Sequence, residues 1–102
     1  MSSSKYKVLI FPRAELDLIE ARDYYTEVLK TSSTKVFDRF LDLIDQLEDN
    51  PLIYPLVRDP HLSAKGYRLV PIESFLVFYL IKESTVEIRR FLYGGRKYSS
   101  IL

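Results

Sequence analysis

The chain has 102 residues, 47% of them hydrophobic and 28% charged, with a net charge of +1. That is the size and composition of one soluble domain with a real core. The absence of cysteine excludes disulfides and thiolate metal sites, a single histidine (His61) leaves no histidine-based metal cluster, and no cofactor is expected.

The N-terminal Met1-Ser-Ser-Ser-Lys5 is not followed by an apolar signal core, so the chain is expected to stay in the cytoplasm. A membrane partner is not expected either. The longest apolar run, Phe75 to Ile81, has seven residues, far below the roughly 20 needed to span a bilayer.

Lys5 to Phe11 starts with polar/apolar alternation and then turns wholly apolar. It reads as a first strand that runs into the middle of a sheet. Pro12 supplies the fixed φ of a first helical turn. Ala14, Leu18, Ala21, Tyr25 and Val28 then recur at steps of four and three, widened by Ile19 and Leu29. They predict a helix with one apolar stripe and the acids opposite. Lys30-Thr-Ser-Ser-Thr34 is a polar break rich in capping residues. Val36, Phe40, Leu43 and Leu47 predict a second helix, ended by Asn50-Pro51. Two amphipathic helices joined by a short loop make a helical hairpin.

Leu52 to Ser63, with Pro51 just before it, carries three of the five prolines and reads as an irregular crossing. Three strands follow: Tyr67 to Ile72, Phe75 to Lys82, and Thr85 to Leu92. The connections Glu73-Ser74 and Glu83-Ser84 are short enough for tight hairpins. Phe75 to Ile81 lacks alternation, as expected of a central strand covered on both faces. The predicted fold is therefore α+β, in the order β-α-α-β-β-β. The helical hairpin packs on one face of a four-stranded antiparallel sheet, and the other face is open to a partner.

The small net charge hides a segregation. Between Ala14 and Asp49 ten acids face four bases, a net of −6, while the rest of the chain carries +7. A charged partner meets these local fields, not the average. No Gly-rich phosphate loop and no nucleophile elbow is present. The paired helical carboxylates have the spacing of solvated faces, and His61 reads as loop decoration.

The cations of the last strand and tail are more informative. Arg89, Arg90, Arg96 and Lys97 lie close together, interleaved with Tyr93 and Tyr98, and no acid follows Glu87. Such a set suits contact with a polyanion or another protein. On a strand, Val86, Ile88, Arg90 and Leu92 share one face, and Glu87, Arg89, Phe91 and Tyr93 the other. Arg90 in line with apolar residues needs a partner if buried. It is either a structural ion pair with a helix acid such as Asp23 or Glu27, or the floor of a cationic groove. Arg68 adds a cation to the same surface.

The series Pro12, Ala14-x-x-Asp17-Leu18, Asn50-Pro51, Tyr54-Pro55, Gly66-Tyr67-Arg68, Phe75-Leu-Val-Phe-Tyr79 and Val86-x-Ile88-x-Arg90-Phe-Leu-Tyr-Gly-x-Arg96-Lys-Tyr98 resembles the RelE/ParE superfamily of bacterial type II toxins. The resemblance covers nearly the whole chain. It implies the helical hairpin on an antiparallel sheet, and neutralisation by an antitoxin from the same operon whose C-terminal segment wraps the toxin. It implies one of two targets. RelE-like members cleave messenger RNA in the ribosomal A site, and ParE-like members poison DNA gyrase.

For the nuclease the resemblance implies Arg68, Arg90, Arg96 and Tyr98 as catalytic groups, with Arg96 on the phosphate and Tyr98 as acid/base. That pattern is incomplete here, since Val70, Leu76 and Leu102 stand where it has a lysine, an arginine and a tyrosine. A net charge of +1 is also modest for a ribosome binder. The reading therefore leans to gyrase. Target or antitoxin contact falls to Arg68, Arg89, Arg90, Tyr93, Arg96, Lys97 and Tyr98. The alternatives are the ribosome-dependent endoribonuclease and a non-toxic antitoxin-binding module.

Overall fold

The computed structural model describes residues 5–32, 34–95, 98 and 102. The elements are β1 (Lys7–Ile10), α1 (Pro12–Asp23), a π turn (Tyr24–Val28), α2 (Thr34–Asp49), a 3₁₀ turn (Pro51–Ile53), α3 (Pro60–Ala64), β2 (Arg68–Ile72), β3 (Phe75–Lys82) and β4 (Thr85–Tyr93). They build one sheet in the order β1-β4-β3-β2.

The β2–β3 and β3–β4 pairs are antiparallel hairpins, as predicted. Both turns lack glycine, and Glu73 and Glu83 adopt positive φ instead (54° and 57°). β3 and β4 are the central strands, so the unbroken apolar run of β3 is covered on both faces.

β1 departs from expectation twice. It lies at the edge of the sheet, not the middle, and it pairs parallel to β4, Lys7 with Thr85 through Ile10 with Ile88. The path of the helices explains the direction. Tyr25, at the end of the first helix, packs on Phe75 with ring centroids 6.2 Å apart. α2 then starts beside the β2–β3 turn, where Arg39 Nε lies 3.2 Å from Glu73. In its last turn the Glu48 carbonyl accepts the Tyr6 N–H at 2.9 Å. The hairpin has brought the chain back to where β1 began. β2 therefore runs with β1, and two hairpins later so does β4.

The core between helices and sheet joins Ala14, Ala21, Val36, Phe40, Leu43 and Leu47 to Val77, Tyr79, Ile88 and Phe91. The α2 stripe is the predicted one. The α1 stripe is cut short, and Val28 and Leu29 are exposed. At Tyr24 the helix widens to π winding, in which Leu29 N–H bonds the Tyr24 carbonyl at 3.0 Å. The wider turn rotates the following side chains off the core-facing stripe.

The second face of the sheet is not open. A smaller cluster of Val57, Leu62, Tyr67, Phe78, Leu80 and Leu92 covers it, with Tyr98 and Leu102 packed against it. The irregular segment 54–67 therefore does the covering. It is pinned by Asn50, whose side chain accepts the Leu52 N–H, and by Asp59, which caps α3 at the His61 and Leu62 N–H groups.

Tyr79 ties the 3₁₀ turn that leads into this segment to the sheet from the helix side. Its ring is fully buried and its hydroxyl donates to the Pro51 carbonyl at 2.6 Å. Burial pushes its pKa up to about 12, against a lowering effect of Arg68. An unfolded tyrosine ionises near pH 10. Between pH 10 and about 12 the folded state thus holds a proton that the unfolded state has lost. The stabilisation is complete below pH 10 and disappears as pH rises through that window. Tyr79→Phe is expected to remove a loss of up to about 1.4 kcal/mol per pH unit from the alkaline unfolding curve. Urea titrations of both proteins across the window check it.

Candidate functional site

The cations of β4 are arranged by a bulge. Phe78 stands opposite Arg90 and Tyr79 opposite Ile88, so Arg89 is the extra residue. Regular alternation would put Arg90 and Leu92 on the face of Ile88. The bulge instead shifts the later residues by one. Phe91 joins Val86 and Ile88 in the helix-side core, and Leu92 joins Phe78 and Leu80 opposite.

Arg90 is buried, at 7% exposure. Its Nε donates to Asp17 Oδ2 at 2.7 Å and its Nη2 to Asp17 Oδ1 at 3.1 Å. Asp17 also accepts the Phe91 N–H at 3.0 Å. The partner is thus a helix acid, but Asp17 and not Asp23 or Glu27. Asp23 binds its neighbour Arg22 instead. Asp17 was legible as the partner. It falls three residues after Ala14 and four before Ala21, squarely on the apolar stripe of α1, where an acid needs a buried counter-charge.

The remaining cations are dispersed. Arg68, two strands away, is half-buried and donates from Nη1 to the Tyr54 carbonyl at 2.7 Å. Arg89 donates to Glu87 at 3.2 Å and lies over the Phe11 ring, 4.7 Å from its centroid. Tyr98 packs on Phe78 with ring centroids 4.9 Å apart. Tyr93 is 58% exposed and meets Phe75 edge-on. Arg96 and Lys97 lie outside the described residues. Arg68 and Arg90 therefore sit on different strands, each bound to its own structural partner.

The accessible apolar surface lies on the helix side. β1 pairs only with Thr85–Ile88, so among the described residues no strand lines the β1-side edge of β4 beyond Ile88. α1 runs along that edge, and between them lies a cavity of about 440 Å³. Ala21 and Tyr24 form one wall, Phe75, Phe91 and Tyr93 the other, and Glu20 stands at the rim. Leu16, Ile19, Tyr24 and Val28 are further exposed apolar residues of α1 and the π turn. Sequence reasoning missed this groove because it depends on β1 being short.

Among the described residues, no helix is long and apolar enough to cross a membrane. The architecture is that of a solved structure described as a chromosomal ParDE TA system from P. aeruginosa. It superposes with a TM-score of 0.60 at 17% identity, covering 89% of this chain and 98% of that one. No curated protein matches the chain in sequence. A helical hairpin on this sheet, ending in the arginine-bearing strand, defines a small toxin of the RelE/ParE superfamily. The family model described as the ParE toxin of the type II toxin–antitoxin system parDE matches residues 8–98, and the chain belongs to that family.

Proposed function

We propose that the protein inhibits bacterial growth by binding DNA gyrase, without chemistry of its own, and that an antitoxin from the same operon silences it. The observation that carries the reading is the Arg90–Asp17 pair. A nuclease of this superfamily needs the cations of its own pattern free to stabilise a pentacoordinate phosphate. Here the Arg90 guanidinium is buried and both of its forked bonds go to Asp17. Leu76 and Val70 put apolar side chains where the nuclease pattern has cations. Target contact then falls to the end of β4, where Tyr93 is exposed, and to Arg96, Lys97 and Tyr98, which follow in the chain.

The groove between α1 and the end of β4 is the docking place we assign to the antitoxin. It combines aromatic rings with the carboxylates of Asp17 and Glu20, a mixture that suits an amphipathic segment that folds as it binds. Tyrosines at such sites carry a large share of binding energy. Tyr24→Ala combined with Tyr93→Ala is expected to weaken antitoxin binding by about thirtyfold, roughly 2 kcal/mol. Leu41→Ala, on the outer face of α2, is expected to change nothing. Calorimetric titration of the three proteins with the purified antitoxin checks both statements.

The function itself is tested by induction in a susceptible bacterium, with messenger RNA ends and plasmid topology followed together. The reading expects DNA breaks, an SOS response and intact messages. Cleavage of messages in the A site overturns it in favour of the nuclease, and normal growth in favour of a non-toxic binding module.

A further inference from the structure

The bulge in β4 places Arg89 and Arg90 in succession beside the start of α1, where a second cavity of about 280 Å³ opens. Its wall includes Phe11, Arg13, Tyr67, Arg89 and Arg90. The charge of Arg90 is already met by Asp17. Arg89 is paired with Glu87 at 3.2 Å and lies over the Phe11 ring, but it keeps donors to spare. Glu87 takes one N–H of Arg89, and a guanidinium has five. Arg13 is exposed, and no acid pairs with it among the described residues.

Tyr67 gives the second and independent observation. It is only 6% exposed, yet no hydrogen bond to its hydroxyl is found among the described residues. Among the described residues no buried side-chain polar atom is left without a partner, so this hydroxyl is not a buried orphan but is open to solvent. The ring of Tyr67 belongs to the apolar cluster on the second face, while the residue also lines the cavity. It thus supplies a donor to a space that two arginines border.

We propose that this cavity is a phosphate-binding site, in which Arg13, Arg89 and the Tyr67 hydroxyl hold one phosphate group. Three donors from separate elements suit a tetrahedral anion better than a planar carboxylate. Forked guanidinium donors match phosphate oxygens with two parallel bonds. The phosphate belongs either to a free nucleotide or to a nucleic-acid strand. The inference stands on the cavity and its donors, and does not depend on the gyrase reading.

The test titrates the full chain with adenosine monophosphate and, separately, with a short oligothymidylate. Amide and Arg Nε resonances report on the site. At least one ligand is expected to bind saturably and to shift Arg13, Tyr67 and Arg89. Arg13→Gln and Arg89→Gln are each expected to weaken binding by about tenfold. Tyr67→Phe keeps the ring in the apolar cluster and is expected to weaken binding as well. If the strand is the source, each arginine variant also lowers the salt slope by about 0.7. Binding of the mononucleotide alone assigns the site to free nucleotides. The proposal is overturned if neither ligand saturates, or if Arg13→Gln and Tyr67→Phe, with unchanged melting, bind as the parent does.

Discussion

Replacing Asp17 with alanine is expected to remove a large share of the folding stability at 25 °C. The side chains of Asp17 and Arg90 are 4% and 8% exposed. A buried ion pair adds little net stability, because removing two charges from water offsets most of their attraction. Losing one partner is different, since it strands the other charge. That costs about 3–5 kcal/mol, against a total of about 5–15 kcal/mol for a domain of this size. Asp17→Ala also deprives the Phe91 N–H of its acceptor, so the cost falls toward the upper end. Two further variants separate the pair from its geometry. Arg90→Met alone strands the carboxylate and is expected to be similarly damaging. The double variant Asp17→Leu/Arg90→Met removes both charges and is expected to recover most of the loss. Urea unfolding of the four proteins checks this. Equal midpoints for the parent and Asp17→Ala would show that the pair carries no weight.

The second large effect is expected at Phe91. Its ring stacks on Phe75 at 4.7 Å, meets Phe40 edge-on at 5.7 Å, and lies 6.5 Å from Phe37. One side chain thus joins α2, β3 and β4. Phe91→Ala is expected to cost about 3–5 kcal/mol through lost burial and the space left behind. The coupling between Phe91 and Phe40 in a double-mutant cycle should be about 0.5–1.5 kcal/mol. Phe91 also lines the groove between α1 and β4. Antitoxin affinity should therefore drop in any Phe91 variant that still folds, whereas Val36→Ala lowers stability and leaves affinity alone. Unfolding curves and binding titrations on the same samples distinguish the two.

Much of this fold is written in periodicity. The α2 stripe of Val36, Phe40, Leu43 and Leu47, the break at Asn50-Pro51, and the unalternating run of β3 each express one dominant local force. What was not legible arises where two forces compete. Strict alternation along β4 would have put Arg90 and Leu92 with Ile88, but a single inserted residue reverses the later half. Such a bulge leaves no mark in hydrophobicity. The apolar stripe of α1 predicted burial of Val28, but π winding from Tyr24 carries it to the surface. The direction of β1 depends on where the helical hairpin ends, a tertiary fact that neither strand encodes. The supposedly open second face is filled by segment 54–67, whose prolines disguise how well it packs.

The site follows the same division. The need of Arg90 for an acid was visible, and so was the position of Asp17 on an apolar stripe. Their union was missed because acids on a helix were assigned to its solvated face. One consequence concerns charge reversal at Arg90. It would destroy the fold before testing any groove, so loss of toxicity in such a variant says nothing about target contact. Tyr93 and Arg96 are the better positions for that purpose.

The central claim is that the protein acts on gyrase as a binder and not as a nuclease. The most direct measurement adds the purified chain to purified gyrase and relaxed plasmid, and in parallel to programmed ribosomes. The account predicts loss of supercoiling with accumulation of cleaved DNA, abolished by equimolar antitoxin, and uncut message on the ribosomes. Undisturbed supercoiling together with A-site cleavage of the message would contradict it.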